Sequence, residues 1–169
     1  MPSATILSTK PKEQKTENGI TRADRSELAK FLSKALADTF LLNLKTLNFH
    51  WNVVGPLFYS LHKLTEEQYE DLTASIDVIA ERIRALGFVA PGSITQYAEL
   101  TDIKEETGSP SAEEMIKQLA DDNERCARNL RHAVSAAEEI EDVKTADLLT
   151  ERIGQHEENA WMLRAILSS

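Results

Sequence analysis

Apolar residues recur at every third or fourth position along most of the chain, which is the spacing of one face of an α-helix. The first such stretch predicts a helix from about Asp24, which with Glu27 supplies N-terminal cap signals, to about Trp51. Gly55-Pro56 interrupts the pattern. A second apolar stripe then predicts a helix over residues 57–86.

The second half of the chain repeats this pattern after a long link. Residues 87–110 form the link, within which residues 94–100 predict a short helix. Start signals at Ser109-Pro110-Ser111 precede a third long helix that reaches about residue 140. A last helix is predicted over residues 144–167. Four long helices joined by a short, a long and a short link fit a bundle with one crossover connection, the ferritin-like layout.

The chain therefore divides into two parts. Residues 24–169 predict an all-α, ferritin-like four-helix bundle with a short extra helix in the long link between helices 2 and 3. Residues 1–23 are polar and non-periodic, which predicts a mobile N-terminal tail. The net charge of −9 divides into +2 on the tail and −11 on the bundle, which argues against a broad basic surface for nucleic acid.

Cysteine usage and hydropathy indicate the compartment. Cys126 is the single cysteine and cannot form an internal disulfide, which suits a reducing compartment. No apolar run approaches the roughly 18 residues of a membrane span, and the N-terminus has no secretory signal pattern. We therefore expect a soluble, cytoplasmic protein without a membrane partner.

Metal chemistry is the first function to test for a bundle of this layout. A di-iron site inside one such bundle takes Glu from two helices and Glu-x-x-His from the other two. The chain contains no Glu-x-x-His, and the first helix, beyond its cap, carries only Glu27 and Asp38 as acids, both off its apolar stripe. The sequence therefore predicts that this internal site is missing.

The second helix carries a different set of donors. His62 and Glu66, and again Asp77 and Glu81, are spaced i, i+4 and so share a face. At about 100° per residue all four lie on one stripe beside the apolar face. Such a stripe is either a metal site or an ordinary solvated face, and Glu70 lies on it as well.

Axial distance decides how these donors can meet. Eleven residues separate Glu66 from Asp77, about 16 Å along a helix, whereas metal ligands lie about 2 Å from the ion. The two pairs can bind one ion only if a second copy packs antiparallel, which creates two equivalent sites. His50, at the end of the first helix, can complete the histidine side.

These residues match a known family: the chain resembles the Dps proteins, the mini-ferritins that protect DNA during starvation. The resemblance covers nearly the whole chain and is carried by His50-Trp51-Asn52, Gly55, Phe58, Leu61-His62, Asp77-x-x-Ala80-Glu81-Arg82, Leu86-Gly87, Thr145-Ala146-Asp147 and Trp161. It implies a hollow homo-dodecamer of four-helix subunits with ferroxidase sites at two-fold interfaces. It assigns His50, His62 and Glu66 to one subunit and Asp77 and Glu81 to its partner.

The resemblance also implies the chemistry. Fe(II) is oxidised, preferentially by hydrogen peroxide, and the ferric product is stored as a mineral in the cavity. Imidazole and carboxylate ligands suit iron, and zinc, cobalt or manganese can occupy the same donors. Glu66 departs from the family's usual Asp by one methylene. Trp51 is either a group near the site that quenches stray oxidising equivalents or an aromatic anchor at a helix end.

Two further roles follow from the resemblance. Asp142 and Asp147 are predicted to line pores through which iron enters, although acids here also fit a solvated helix junction. DNA is a candidate partner through the positively charged tail, with the protein associated with the nucleoid. The alternatives are a DNA-condensing nucleoid protein with secondary iron chemistry, and an acidic helical bundle without a catalytic role.

The remaining candidate residues have structural interpretations. His156 lies on the apolar stripe of the last helix and is predicted to be buried and hydrogen-bonded. Cys126 is predicted to be a small apolar residue in a helix, and His132 a surface residue. Trp161 is predicted to lie in the core or at an interface.

Overall fold

Residues 12–168 are described by a computed structural model and contain helices but no strand. The five helices are α1 (Arg22–Asn52), α2 (Phe58–Ala85), α3 (Ile94–Leu100), α4 (Ala112–Glu139) and α5 (Val143–Leu167). The predicted all-α fold with a short helix in the long link is confirmed. Within residues 12–168, none of these helices combines the length and the apolar character that a membrane span requires.

Contacts between the helices define the crossover. α1 packs against α2, α3 and α4, and α4 packs against α5. Lys45 Nζ lies 2.7 Å from Asp122 Oδ2, and Asn129 Nδ2 donates to Asp38 Oδ2 at 3.1 Å, so α4 runs antiparallel to α1. Because α2 is also antiparallel to α1, the link from α2 to α4 must cross the full length of the bundle. This is the single crossover that the link lengths predicted.

The first helix begins slightly earlier than the cap signals indicated. Thr21 is the N-cap, and its Oγ1 atom accepts a hydrogen bond from Asp24 N at 3.2 Å. Asp24 is therefore the third helical residue, and its carboxylate accepts from Thr21 Oγ1 at 2.7 Å. The predicted start at Asp24 was wrong by two residues because an Asp in the first turn and an Asp at the cap give the same sequence signal. At α4 the cap falls on Ser111, in a capping box with Glu114.

The core consists of two apolar clusters at successive levels of the bundle. One is built around Leu32, Leu36 and Ile83, and the other around Phe49 and Leu61, all fully buried. Buried polar side chains lie between the two clusters along two helices, namely Thr39 on α1 and His156 and Asn159 on α5, and Asn123 on α4 is hydrogen-bonded to His156. The bundle therefore has a polar layer near its middle.

Asp38, the neighbour of Thr39 in sequence, is also buried, although it lies off the apolar stripe of α1. It is 2% exposed and accepts hydrogen bonds from Thr101 Oγ1 and Asp102 N, both at 2.8 Å, and from Asn129. Lys34 lies 3.6 Å from the same carboxylate. Asp38 is thus buried because the crossover link covers it, and its charge is satisfied by that link.

The segment before α1 contacts the end of α2. Gln14 N donates to Gly87 O at 2.8 Å, and Glu13 forms a paired hydrogen bond with Arg22 at 2.6 and 2.7 Å. Arg25 Nη1 donates to Leu86 O at 2.6 Å. Residues 1–11 lie outside the described residues, so the division into a mobile tail over residues 1–23 and a bundle over residues 24–169 stays a prediction.

Gly87 cannot be replaced by alanine without strain. Its φ of +99° lies in the left-handed region, and an added Cβ would lie 2.6 Å from Gln14 O and 2.8 Å from Thr16 Oγ1. We expect Gly87→Ala to lower the free energy of unfolding by about 1–3 kcal/mol. Gly154→Ala, in the middle of α5 with no atom within 4 Å of the added Cβ, is the control and should raise it by about 0.5–1 kcal/mol. Urea unfolding checks both, and equal stability of the two variants would contradict the prediction.

The predictions for the buried His156 and Cys126 are confirmed. His156 is 1% exposed, and its Nδ1 atom lies 2.8 Å from Asn123 Oδ1. Burial, together with the positive charge of Arg152, lowers the pKa of His156 to about 3. Cys126 is 3% exposed, and burial raises the pKa of its thiol well above the ordinary value. His132 is exposed, as predicted.

His156 should make stability pH-dependent. In the unfolded chain it binds a proton below about pH 6.5, whereas the folded chain keeps it neutral down to about pH 3. The free energy of unfolding should therefore fall as pH falls below about 6.5, by about 1.4 kcal/mol per pH unit from this residue. His156→Gln, which keeps a donor toward Asn123, should lose this slope, while His132→Gln should retain it. Urea unfolding between pH 7 and pH 5 measures the slopes, and equal slopes in His156→Gln and wild type would refute the assignment.

Candidate metal centre

The turn between α1 and α2 brings His50 and His62 together. Each histidine directly follows a fully buried residue, Phe49 or Leu61, so the core fixes the helix rotation at both positions. Gly55 takes a φ of +90°, and its carbonyl accepts a hydrogen bond from Phe58 N at 3.0 Å. This bond closes the turn that reverses the chain between α1 and α2. The eleven residues between the histidines therefore form a tight hairpin of two helix ends.

The two imidazole rings are stacked and hold each other in place. Their centroids lie 3.9 Å apart with an interplanar angle of 16°. His50 Nδ1 lies 2.9 Å from His62 O, and His62 Nδ1 lies 2.9 Å from His50 O. A carbonyl oxygen only accepts, so each Nδ1 carries the proton and each Nε2 of the neutral ring presents a lone pair. A backbone carbonyl on Nδ1 is the usual partner that orients a metal-binding histidine.

Neighbouring side chains pack around this pair, and the sequence analysis assigned none of them a role at the site. Phe58 stacks on His62 with centroids 5.1 Å apart, and Tyr69 meets His50 edge-on at 5.1 Å. Thr65 is fully buried, and its hydroxyl donates to Leu61 O at 2.7 Å. The i, i+4 spacing of Phe58 and His62 was the available signal, since it places both on one face of α2.

Glu66 lies beside the histidines and is paired with a lysine. Lys63 Nζ lies 2.6 Å from Glu66 Oε2. The hydrogen bond from Lys63 and the positive charge of Lys63 lower the pKa of Glu66. Glu66 is therefore a carboxylate at neutral pH, and a cation that binds it meets the Lys63 ammonium as a competitor. Sequence spacing could have identified Lys63, because i, i+3 pairs are neighbours on a helix.

Asp77 and Glu81 lie on the same helix but away from the histidines. Both side chains are exposed. Within residues 12–168, no three His, Cys, Asp or Glu side chains converge closely enough to hold a metal ion. A centre that uses His50, His62 and Glu66 together with Asp77 and Glu81 therefore needs a second copy of the chain, and this shared site stays a prediction.

The two tryptophans lie at the surface of the chain. Trp51 lies in the last turn of α1 next to His50 and is 64% exposed, so the chain offers it no core to anchor in. Trp161 on α5 is 66% exposed, which excludes the core position but leaves the interface position open. The predicted role of Trp51 near the metal centre stays a prediction.

The two predicted pore residues differ in surroundings. Asp142 is 3% exposed, is the N-cap of α5, and receives hydrogen bonds from Arg82 Nη2 at 2.7 and 2.8 Å and from Thr145. Burial raises the pKa of Asp142, but the bonds from Thr145 and Arg82 together lower it more. Asp147 has an exposed side chain 3.3 Å from Lys144 Nζ. Only Asp147 thus presents a carboxylate to solvent, and the pore itself stays a prediction.

Comparisons with known proteins identify the family. Residues 29–169 match the ferritin-like domain family. An uncharacterized low temperature-induced protein of Nostoc sp. is 46% identical over 151 residues, which cover 88% of this chain and 84% of that protein. DNA protection during starvation protein 2 of Bacillus anthracis is 37% identical over 142 residues, covering 84% and 97% of the two chains.

Solved structures agree with these sequence relatives. The crystal structure of Dps from Vibrio cholerae O1, described as a member of a broad superfamily of ferritin-like diiron-carboxylate proteins, matches with a TM-score of 0.86 and 31% identity. The match covers 90% of this chain and 96% of that chain. The predicted ferritin-like layout is thereby confirmed, and the chain belongs to the Dps family of ferritin-like proteins.

Proposed function

We propose that this protein is a ferroxidase that oxidises Fe(II), preferentially with hydrogen peroxide, at di-iron sites shared between two subunits. The ferric product is stored as a mineral inside a hollow homo-dodecamer. Removing both reactants protects DNA from oxidative damage. Iron is thus a substrate of the protein, and zinc, cobalt or manganese can occupy the same donors as substitutes.

The mutual hydrogen bonds of His50 and His62 are the observation that carries this proposal. Both Nδ1–H groups donate to backbone carbonyls, so the lone pair of each Nε2 atom stays available. The two rings are stacked with their centroids 3.9 Å apart. Histidines kept only for packing have no need of this matched orientation. Imidazole nitrogen is a good donor for Fe(II), so the pair forms the histidine half of a metal site.

Carboxylates supply the other half of the donor set. Glu66 belongs to the same subunit as the histidines, and Asp77 and Glu81 come from the partner. Anionic oxygen donors suit the harder Fe(III) product, so a mixed set supports both oxidation states. The low pKa of Glu66 keeps this ligand charged without loss of a proton on metal binding.

The proposed reaction balances with two irons per peroxide. Two Fe(II) each give one electron, the O–O bond of one hydrogen peroxide breaks, and two protons complete two waters and two Fe(III). No unpaired electron remains on oxygen, so no hydroxyl radical is released. Two iron ions need more ligands than one chain brings together within residues 12–168, so the proposed centre takes donors from two chains.

The test is a stoichiometric oxidation of the assembled protein. Fe(II) is added without oxygen, followed by peroxide, while ferric absorbance, peroxide consumption and spin-trapped hydroxyl radical are measured. We expect ferric absorbance with one peroxide consumed per two Fe(II) and little trapped radical. No ferric absorbance above that of buffer, or one radical per iron as in free solution, would refute the proposal.

DNA protection is proposed to act through this chemistry in the cytoplasm, near the nucleoid. Relatives named for DNA protection during starvation support this role. DNA condensation is less favoured, since two of the three basic residues within residues 12–23 are paired with acids: Lys15 with Glu17 at 2.5 Å and Arg22 with Glu13 at 2.6 Å. The remaining chain carries −11 and repels phosphates.

A further inference from the structure

A small cavity lies between α1 and α4, with α5 as its floor. Its volume is about 140 Å³. Apolar side chains form its walls, with Phe31 and Ala35 on α1 and Leu130 and Ala133 on α4. None of the residues that line it belongs to the cluster around His50 and His62. The cavity is therefore separate from the proposed ferroxidase centre.

One buried polar side chain on the floor lacks a partner on one side. His156 lines the cavity and is 1% exposed. Its Nδ1 atom is bonded to Asn123 Oδ1, and no hydrogen bond within residues 12–168 uses its Nε2 atom. Asn123 Nδ2 donates to Leu119 O at 2.8 Å, which fixes the amide with its oxygen toward the histidine.

These bonds determine which ring nitrogen accepts. Asn123 Oδ1 can only accept, so Nδ1 of His156 must donate to it. With its pKa lowered to about 3 by burial, the ring is neutral at physiological pH, and Nε2 keeps its lone pair. Nε2 is therefore an acceptor that no group within residues 12–168 occupies, and a ligand with one donor can bind to it.

Three other polar side chains that line the cavity already have partners, and His132 is exposed at its rim. Thr39 Oγ1 donates to Ala35 O at 2.7 Å. The carboxylate of Asp38 accepts from Thr101, Asp102 and Asn129. Lys34, at the mouth, is 2.7 Å from an Asp102 carboxylate oxygen. The cavity thus offers no free charge, which favours a neutral ligand.

Size and polarity together define the ligand class. An engineered protein cavity of about 150 Å³ with apolar walls binds benzene. The cavity here is of similar volume, but adds one hydrogen-bond acceptor. We propose that it is a binding site for a small monocyclic phenol, whose ring fills the apolar walls and whose hydroxyl donates to His156 Nε2. Phenols are uncharged at neutral pH, since their pKa is near 10.

The test compares phenol with benzene on the assembled, full-length protein. By isothermal titration we expect one phenol per chain with a Kd of about 1 mM or tighter. Benzene, which lacks the donor, should bind about tenfold more weakly. Phenol should also shift the ¹⁵N resonance of His156 Nε2, and benzene should leave it nearly unchanged. Absence of saturable phenol binding, or equal affinity for both probes, would overturn the proposal.

Filling the cavity supplies a second, independent test. Ala133→Leu should occupy the ring position and abolish phenol binding. Ala136→Leu, the same change one turn further along α4 and outside the cavity lining, is the matched control and should bind phenol normally. A folded Ala133→Leu protein that still binds phenol would overturn the proposal. If Ala133→Leu does not fold, the wild-type resonance shift decides by itself.

Discussion

His62→Ala is expected to lower the rate of peroxide-dependent Fe(II) oxidation by at least about 100-fold. Loss of a group that merely orients a metal ligand typically costs 10–100-fold, and this change removes the ligand itself. It also removes the Nδ1 donor to His50 O, so the remaining ring loses its stacked partner. Stopped-flow ferric absorbance measures the rate. His132→Ala, an exposed histidine on α4, is the control and should match wild type.

A stronger prediction is that two inactive variants complement each other when they assemble together. In the proposed isologous pair, each site would take His62 from one subunit and Asp77 from the other. When a His62→Ala subunit meets an Asp77→Ala subunit, one site carries both lesions and the other carries none. Random assembly of equal amounts makes half of the pairs mixed, so roughly a quarter of all sites should be intact.

A matched mixture distinguishes sharing from general rescue. His62→Ala combined with His50→Ala places both lesions on the same half of the centre, so every site stays damaged and no activity should return. Recovery in the first mixture with none in the second requires a site divided between subunits. No recovery in the first mixture, with both proteins assembled, would contradict the shared site while leaving open a ferroxidase confined to one chain.

Asp142→Ala is expected to lower the free energy of unfolding by about 3–5 kcal/mol. The change leaves Arg82, whose side chain is 17% exposed, without its paired carboxylate, and breaking a buried pair from one side costs about this much. It also removes the N-cap of α5, which includes the bond from Thr145 N at 3.0 Å. Urea unfolding measures the loss. Asp142→Asn keeps the cap but not the charge, so its free energy of unfolding should lie between those of wild type and Asp142→Ala.

Asp147→Ala is the control for Asp142→Ala. Asp147 forms only an exposed contact with Lys144, so its removal should change stability by about 0.5 kcal/mol or less. If Asp147 lines an iron pore, Asp147→Ala should also slow Fe(II) uptake into the assembled protein. Equal stability of Asp142→Ala and Asp147→Ala would show that the Arg82 pair does not stabilise the junction of α2 and α5.

Local signals predicted the helices well because they act over one or two turns. The short helix was expected over residues 94–100 and is found at Ile94–Leu100. The start signal at Ser111 became a capping box with Glu114. The start at Asp24 was misplaced because Thr21, three residues earlier, is also a favourable cap residue. Competing caps differ by little in free energy, so neighbouring contacts choose between them.

Burial of polar residues was less predictable because it depends on what covers them. Asp38 lies off the apolar stripe, yet it is 2% exposed because the crossover link passes over it. The burial of Asp142 was equally hard to predict. Its neighbours in sequence are acidic and exposed, but Arg82, sixty residues away in the chain, packs over it and donates hydrogen bonds to it. Such contacts between distant residues cannot be read from local periodicity.

The sequence by itself determined the helices, the crossover, the missing Glu-x-x-His motif and the axial distance that forbids Glu66 and Asp77 from sharing one ion within a chain. These follow from helix geometry, which is the same for every sequence. Only the tertiary structure decided that His50 and His62 stack and exchange Nδ1 hydrogen bonds with each other's carbonyls. That arrangement depends on how the Gly55 turn and the buried Phe49 and Leu61 set two helix ends against each other, and packing of this kind is fixed only when the whole core forms.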